Sequence, residues 1–299
     1  MITRSAPKYS MGGQVVADSL RSLGFRTDAQ GLALVETEPR WRATEVVLAQ
    51  SAWNVMPYDQ FTHLLRPIPA KMRARFRARR AVAQRNLRQA GRIVCLTDAM
   101  ADLVRASTGR DVVVSHITAP LDVFTFAIRQ VPEPFAVVPG TLTWHKRPLA
   151  ALEWVTCHPE VDLEQVWFCG SDDGSGCRDA VVRRASELNI QVRIGPQSRN
   201  DLSKLLSRAA VTLLPSALES LGFSLAEALV AGVPVVASRI PAHDEVARRV
   251  GGTPPTWDWN VAVPSQPTRR TPTLAPDSIR AEWRALGVAL ELGREWDVN

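Results

Sequence analysis

VTLLPSALESLGFSLAEALVAGVPVVAS, residues 211–238, carries the reading on which the fold turns. VTLLP is an uncharged apolar run of strand length, and so is VPVVAS at 233–238. Between them SLAEALVAG (224–232) reads as a helix, stopped by Gly232, Val233 and Pro234. Two strands apolar on both faces and joined through a helix make a parallel crossover, because a tight turn cannot join parallel neighbours.

The same alternation runs upstream. PFAVVPG (134–140), QVWFCG (165–170) and QVRIG (191–195) read as strands, separated by the helical stretches PLAALEWV (148–155), RDAVVRRASELN (178–189) and DLSKLLSRA (201–209). Strict succession of this kind predicts a doubly wound parallel sheet, since right-handed crossovers cover both of its faces.

Before Gln130 the pattern is looser. KYSMGG (8–13) followed by VVADSLRSLGF, in which Val16, Leu20 and Leu23 recur at helical spacing, predicts a very short strand, a glycine turn and a helix. TEVVLAQSA (44–52) and IVCLT (93–97) read as central strands, and APLDVFTF (119–126) as an extended stretch. In PAKMRARFRARRAVAQRNLRQAG (69–91), Met72, Phe76, Ala83, Leu87 and Ala90 share one helical face and arginines cover the rest. Residues 251–276, rich in Pro and Thr, read as irregular, and SIRAEWRALGVALELGREW (278–296) as a closing helix.

With 299 residues, 45% of them apolar, the chain can bury two ordinary cores. It has no long uncharged apolar run and no signal-peptide pattern at its start, so a cytoplasmic protein is expected. Cys95, Cys157, Cys169 and Cys177 form no Cys-x-x-Cys pair and read as reduced, mostly buried thiols. The loop SDDGSG (171–176) lacks the full spacing of a calcium loop and reads as a solvated turn, and His158 reads as structural. Of 36 Lys and Arg, ten lie between Arg66 and Arg92 with no acid among them, and the other 26 face 30 acidic residues. The basicity is local.

Ligands of an open parallel sheet bind outside the carboxyl ends of its strands, so the residues just after each strand matter most. After VTLLP come Glu219 in the turn, Gly222 at a helix start and Glu227 inside the helix. Amides at that helix start favour an anion such as a diphosphate, and Gly222 allows close approach. Carboxylates there suit neutral hydroxyl groups, such as those of a sugar and a ribose. After PFAVVPG comes TLTWHKRP, in which Lys146 can neutralise charge on a leaving group and His145 can add a second donor.

On three motifs the chain from Val138 to Glu245 resembles the donor domain of retaining glycosyltransferases of family four. GTLTWHK (140–146) is similar to a strand-end motif closing on a phosphate-binding lysine, and IGPQSRNDLSKLLSRAAVTLLPSALES (194–220) to a base-binding turn, helix and strand. ESLGFSLAEALVAGVPVVAS (219–238) resembles the double-glutamate signature, with Glu219 and Glu227 eight positions apart. GGQVVADSLRSLGF (12–25) resembles the family's first glycine loop, and NVMPYD (54–59) with IVCLTDAMADLV (93–104) its later N-terminal strands.

The resemblance implies an α/β protein of GT-B architecture: two Rossmann-like doubly wound parallel-sheet domains with a cleft between them. Residues 1–130 would form an abbreviated acceptor-side domain, 131–260 the nucleotide-sugar donor domain, and 261–299 a linker and closing helix. It implies sugar transfer from a nucleotide diphosphate to an acceptor hydroxyl with retention, with no obligatory metal and no cofactor beyond the donor. Lys146, His145 and Glu219 would be catalytic, with Glu219 on sugar hydroxyls. Glu227 would hold the ribose, Leu221, Gly222 and Phe223 the diphosphate, and Gly195, Pro196 and Gln197 the base. Gly12, Gly13, Gly140 and Thr141 complete the implied donor contacts.

Departures from the family pattern are visible. Many members have arginine where this chain has Thr141; a variant pattern has Thr there and a basic residue before the lysine, which gives that role to His145. Asn54 and His63 are the candidates for an N-terminal histidine near the sugar. A protein that binds a nucleotide sugar without transferring it remains the alternative. The acceptor stays open between a lipid-linked or polysaccharide acceptor, a protein and a modified base in DNA. The basic helix over Arg73 to Arg92 reads as a solvated face, a patch for an anionic membrane surface, which would make the protein peripheral, or a DNA-binding patch.

Overall fold

Apolar runs without charge have to be covered on both faces, and here they build two parallel sheets. The computed structural model describes residues 11–25, 46–49, 51–127, 129–251, 256–257 and 274–291. In the first half, helix α1 (Met11–Ser22) precedes strand β1 (Val46–Ala49), α2 (Ala52–Val55), α3 (Tyr58–Leu65), α4 (Ala70–Gln89), β2 (Arg92–Cys95), α5 (Asp98–Thr108) and β3 (Val113–Val114). The small sheet has the order β1-β2-β3, all parallel, with Val46 opposite Arg92 and Ala49 opposite Cys95. Thr97 starts α5 by accepting the Met100 amide at 3.1 Å, and Gly109, at φ +68°, stops it.

The second half holds β4 (Glu133–Pro139), α6 (Pro148–Cys157), β5 (Gln165–Cys169), α7 (Cys177–Glu187), β6 (Gln191–Ile194), α8 (Arg199–Arg208), β7 (Ala209–Leu214), α9 (Phe223–Val230), β8 (Val235–Ser238), α10 (Pro241–Val250), β9 (Thr256–Trp257) and α11 (Pro276–Glu291). Its sheet runs β6-β5-β4-β7-β8-β9 and is parallel throughout. The chain starts in the middle at β4, winds outward to β6, then returns to the other side of β4 as β7. The strand order therefore reverses between β4 and β7.

Several sequence expectations are corrected. Gly12 and Gly13 lie within the first turn of α1, not in a loop ahead of it; the expected strand before them falls outside the described residues. NVMPYD supplies α2 and the start of α3 instead of strand, and these helices bury Met56 and Phe61 in one cluster with Trp53 packed against it. Leu121–Thr125 forms a 3₁₀ turn in place of an extended run. On α4, Ala83 and Leu87 face inward as expected, but Arg80 joins them, and Arg92 belongs to β2. The other arginines of α4 project outward, and among the described residues no helix is long and apolar enough to cross a membrane.

None of the four cysteines is joined in a disulfide, and Cys95, Cys169 and Cys177 are buried. Burial pushes the Cys169 and Cys177 thiols up to about 12. His158 is buried and stacks on Trp154 at 4.4 Å. In the 171–176 loop, Asp172 and Asp173 accept the amides of Gly174 and Ser175 at 3.2 and 2.8 Å, an ordinary capped turn.

The closing helix α11 returns to the first half. Trp283, fully buried, donates its indole N–H to the Ala119 carbonyl at 2.9 Å, while Glu282 accepts the amide and hydroxyl of Thr118. Gly287 lets the Phe25 ring lie against the helix, where a Cβ would meet it at 2.2 Å. Because Trp283 fills core volume and satisfies a carbonyl, Trp283→Ala should destabilise the protein by about 3–5 kcal/mol, read as a lower urea midpoint.

Candidate functional site

Lys146 and Glu219 follow adjacent strands at the reversal point, and the structure brings them into contact. Lys146 Nζ lies 2.6 Å from Glu219 Oε1, with both side chains largely buried. Gly140, at φ +105°, ends β4; a Cβ there would stand 3.2 Å from the lysine ammonium, so glycine lets that side chain cross the strand end. Gly170 at the end of β5 is equally constrained, since a Cβ would fall 1.9 Å from the Gly140 carbonyl oxygen. Between them Thr141 leads into Leu142, whose amide bonds the Ser171 carbonyl at 2.8 Å and steadies the loop.

The two loops are also joined through backbone. The Ala217 amide donates to the His145 carbonyl at 2.7 Å, and Ser216 Oγ donates to Glu219 Oε1 at 2.7 Å. Burial pushes the Glu219 carboxyl up, but the Lys146 ammonium, His243 and the Lys146 hydrogen bond outweigh it and bring it down to about 2. His145 moves the other way: burial and the adjacent Lys146 lower it to about 4. The residue expected to take arginine's role is therefore a neutral imidazole at pH 7, and a neutral ring can offer only a hydrogen bond. Its ring meets Trp53 of α2 at 5.1 Å, so the small sheet's side closes over this loop.

Gly222, at φ +76°, caps α9 with Leu221 before it and Phe223 as the first helical residue. Below it lies His243 of α10; a Cβ on Gly222 would stand 3.3 Å from the imidazole. That ring donates from Nδ1 to the Ser238 carbonyl at 2.9 Å. Ser238 Oγ in turn donates to the carbonyls of Leu214 and Ser216, fastening the turn from beneath. From the small sheet's side, Thr97 Oγ1 donates to the Ser220 carbonyl at 2.8 Å.

Glu227 is buried in α9, with 4% of its side chain exposed, and is paired with Arg199. Arg199 opens α8 just after the turn Gly195, Pro196 and Gln197, and holds Asp122 through Nε at 2.8 Å and a second nitrogen at 2.5 Å. Burial lifts the Glu227 carboxyl above its ordinary value against the pull of Arg199. For Arg199 burial acts downward, but the bonds to Asp122 and Glu227 raise it overall, so it stays a cation.

Arg199, Asp122, Ser216, Thr97 and His243 were not singled out from sequence. Ser216, three residues before Glu219, had a legible signal as a strand-end residue; the others pair across long stretches of chain. Of the two N-terminal candidates, Asn54 is buried on α2 and His63 is exposed on α3. Asp98, His116 and Glu245 place possible metal-ligand atoms within 4.8 Å of one another. Glu245 there already accepts the amides of Asp98 and Ala99 at 3.1 Å each and faces Arg249, which makes the group a contact between α5 and α10.

Residues 127–251 match the family model described as "Glycosyl transferases group 1". D-inositol 3-phosphate glycosyltransferase of Mycolicibacterium smegmatis is 38% identical over 81 residues, which cover 25% of this chain and 19% of that protein. The match thus spans about a fifth of the length of this curated relative. Among solved structures, WaaG, a glycosyltransferase involved in lipopolysaccharide biosynthesis, superposes with a TM-score of 0.52 at 15% identity, over 88% of this chain and 70% of that one. An α,α-trehalose-phosphate synthase (UDP-forming) from Burkholderia vietnamiensis gives 0.50 at 12% identity, over 96% and 75%. These neighbours are two-lobed GT-B proteins, and the fold here is the same.

The opposed titrations have a readable consequence. His145 binds fewer protons folded than unfolded between its ordinary 6.5 and about 4, so its contribution to stability is present above pH 6.5 and falls on acidification through that window. Glu219, depressed from 4.5 to about 2, contributes above pH 4.5 and loses that contribution as pH falls through 2. Urea midpoints at stepped pH should show His145→Gln flattening the upper window and Glu219→Gln flattening only the lower one.

Proposed function

We propose, from the premise that residues 127–251 belong to the group 1 glycosyl transferases, a retaining family, that this chain moves a sugar from a nucleotide diphosphate to an acceptor hydroxyl. The observation that carries the reading is the contact between Lys146 and Glu219 at the β4/β7 reversal, where a parallel sheet has its ligand crevice.

In this reading the diphosphate lies at the amide-rich start of α9, against Leu221, Gly222 and Phe223, where the helix dipole favours an anion. The Lys146 ammonium turns from Glu219 alone to a position shared with the phosphate oxygens. There it stabilises the negative charge that grows as the anomeric bond breaks through an oxocarbenium-like state. His145 adds an N–H without adding charge. Glu219, ionised at any pH where the protein works, accepts from sugar hydroxyls.

Glu227 offers the carboxylate oxygen not taken by Arg199 to the ribose, and the turn Gly195 to Gln197 receives the base. Retention follows if the leaving phosphate takes the acceptor proton on the face it vacates. Because Lys146 and the helix amides supply the positive field, the transfer is metal-independent in this reading. The acceptor approaches from the side of Trp53.

Lys146→Ala and Glu219→Ala should each lower transfer by well over tenfold while far-UV circular dichroism stays that of the parent. Transfer should persist in excess chelator. Unchanged turnover in both variants refutes the assignment, and loss in chelator refutes metal independence. The donor itself is found by thermal shift across nucleotide sugars: a ligand at a hundredfold excess over its Kd stabilises by about 2.7 kcal/mol.

A further inference from the structure

On the side of the small sheet, α2, α3, α4 and α5 enclose a groove of about 570 Å³, within the size range of small-molecule sites. Val55, Met56, Phe61 and Leu103 give it apolar walls, and Tyr58, 62% exposed, stands at its mouth. Arg77, Arg80 and Gln84, one helical stripe of α4, line the facing side.

Arg80 is the unusual member. Only 7% of it is exposed, yet its hydrogen bonds go to uncharged backbone carbonyls, Met56 at 2.8 Å and Trp53 at 3.4 Å. The guanidinium lies 4.7 Å from the Phe61 ring centre and 6.0 Å from that of Tyr58. Among the described residues no carboxylate pairs with it. Burial lowers its pKa, with Tyr58 opposing, but a guanidinium keeps its proton in proteins. Asp102 of α5 beside the groove is paired with Arg105 at 3.0 Å. A buried, permanently charged group without a counter-charge is costly, and the whole of Arg66 to Arg92 supplies cations and no acid to offset it.

An anion alone would gain the charge but leave the apolar walls wet. An apolar ligand alone would cover the walls and seal an uncompensated cation further from water. We propose that the groove binds a single-chain anionic amphiphile, a lipid whose aliphatic chain lies along Val55, Phe61 and Leu103 and whose phosphate or carboxylate head meets Arg80 and Arg77. Charge complementarity and shape select the same occupant. The groove also touches the donor side: Arg80 bonds the carbonyl of Trp53, whose ring packs on His145. A lipid seated here would thus stand beside the donor loop.

The test is calorimetric titration of the full chain with octyl phosphate, octyl glucoside and inorganic phosphate, each below micelle-forming concentration. Octyl phosphate should bind at least tenfold more tightly than either of the others. Ala106→Trp and Ala81→Trp, at exposed helical positions lining the groove, should abolish that binding by filling it. Arg77→Gln, on the surface, should weaken octyl phosphate severalfold and leave octyl glucoside unchanged; Arg80→Gln should do so more strongly. Equal binding of the charged and neutral octyl compounds, equal binding of inorganic phosphate, or full binding in both tryptophan variants overturns the proposal. Binding here is read without any sugar donor, so its failure leaves the donor-site reading untouched.

Discussion

The arrangement rests on where the large sheet changes direction. Because β4 is laid down first and β7 returns to its opposite side, the loops after these two strands leave toward opposite faces and open a crevice between them. The reachable ion pair in that crevice is held by the two loops: Lys146 by one, Glu219 with its donor Ser216 by the other, with the bond from Ala217 to His145 locking them in register. The glycines at positions 140 and 170 are the price of bringing backbone and ammonium so close.

Two ion systems share the crevice and are built differently. At Lys146 and Glu219, one cation and one anion are both partly reachable, and the carboxyl is strongly acidic. At Glu227 the anion is almost fully enclosed, and its charge depends on Arg199, which is itself steadied by Asp122 through two bonds. The carboxylate of the first pair is more exposed than that of the second. The second is a fixed frame, since removing Arg199 would leave the buried Glu227 charge alone. Contacts from the small sheet's side complete the enclosure, through Thr97 to Ser220, Trp53 to His145 and Glu245 to the start of α5.

The strand and helix succession of residues 133–238 was legible because strands covered on both faces must be continuous apolar runs, and runs such as AVVP and VTLL admit no other packing. That Lys146 and Glu219 stand near each other was legible for a related reason: each follows such a run, and the succession places both runs in one parallel sheet. Arg199 was not, since an arginine at a helix start reads as solvated until Asp122, 77 residues earlier, is known to face it. Arg80 escaped for the same reason, hidden among outward arginines whose spacing is identical. Gly12 and Gly13 misled because a glycine pair before an apolar periodic run signals a turn, and only the neighbouring helix contacts could override that propensity. The fate of α11 was unreadable in principle: its amphipathic stripe says that it packs, but not on which half.

That destination matters for movement. After β9 joins the large sheet, the chain goes back to lay α11 on α1 and on the segment around Thr118 and Ala119, so the polypeptide passes between the two halves twice. Two such ties restrain the halves against each other more than the passage near residue 130 alone would, so α11 acts as a strap as well as a part of the core.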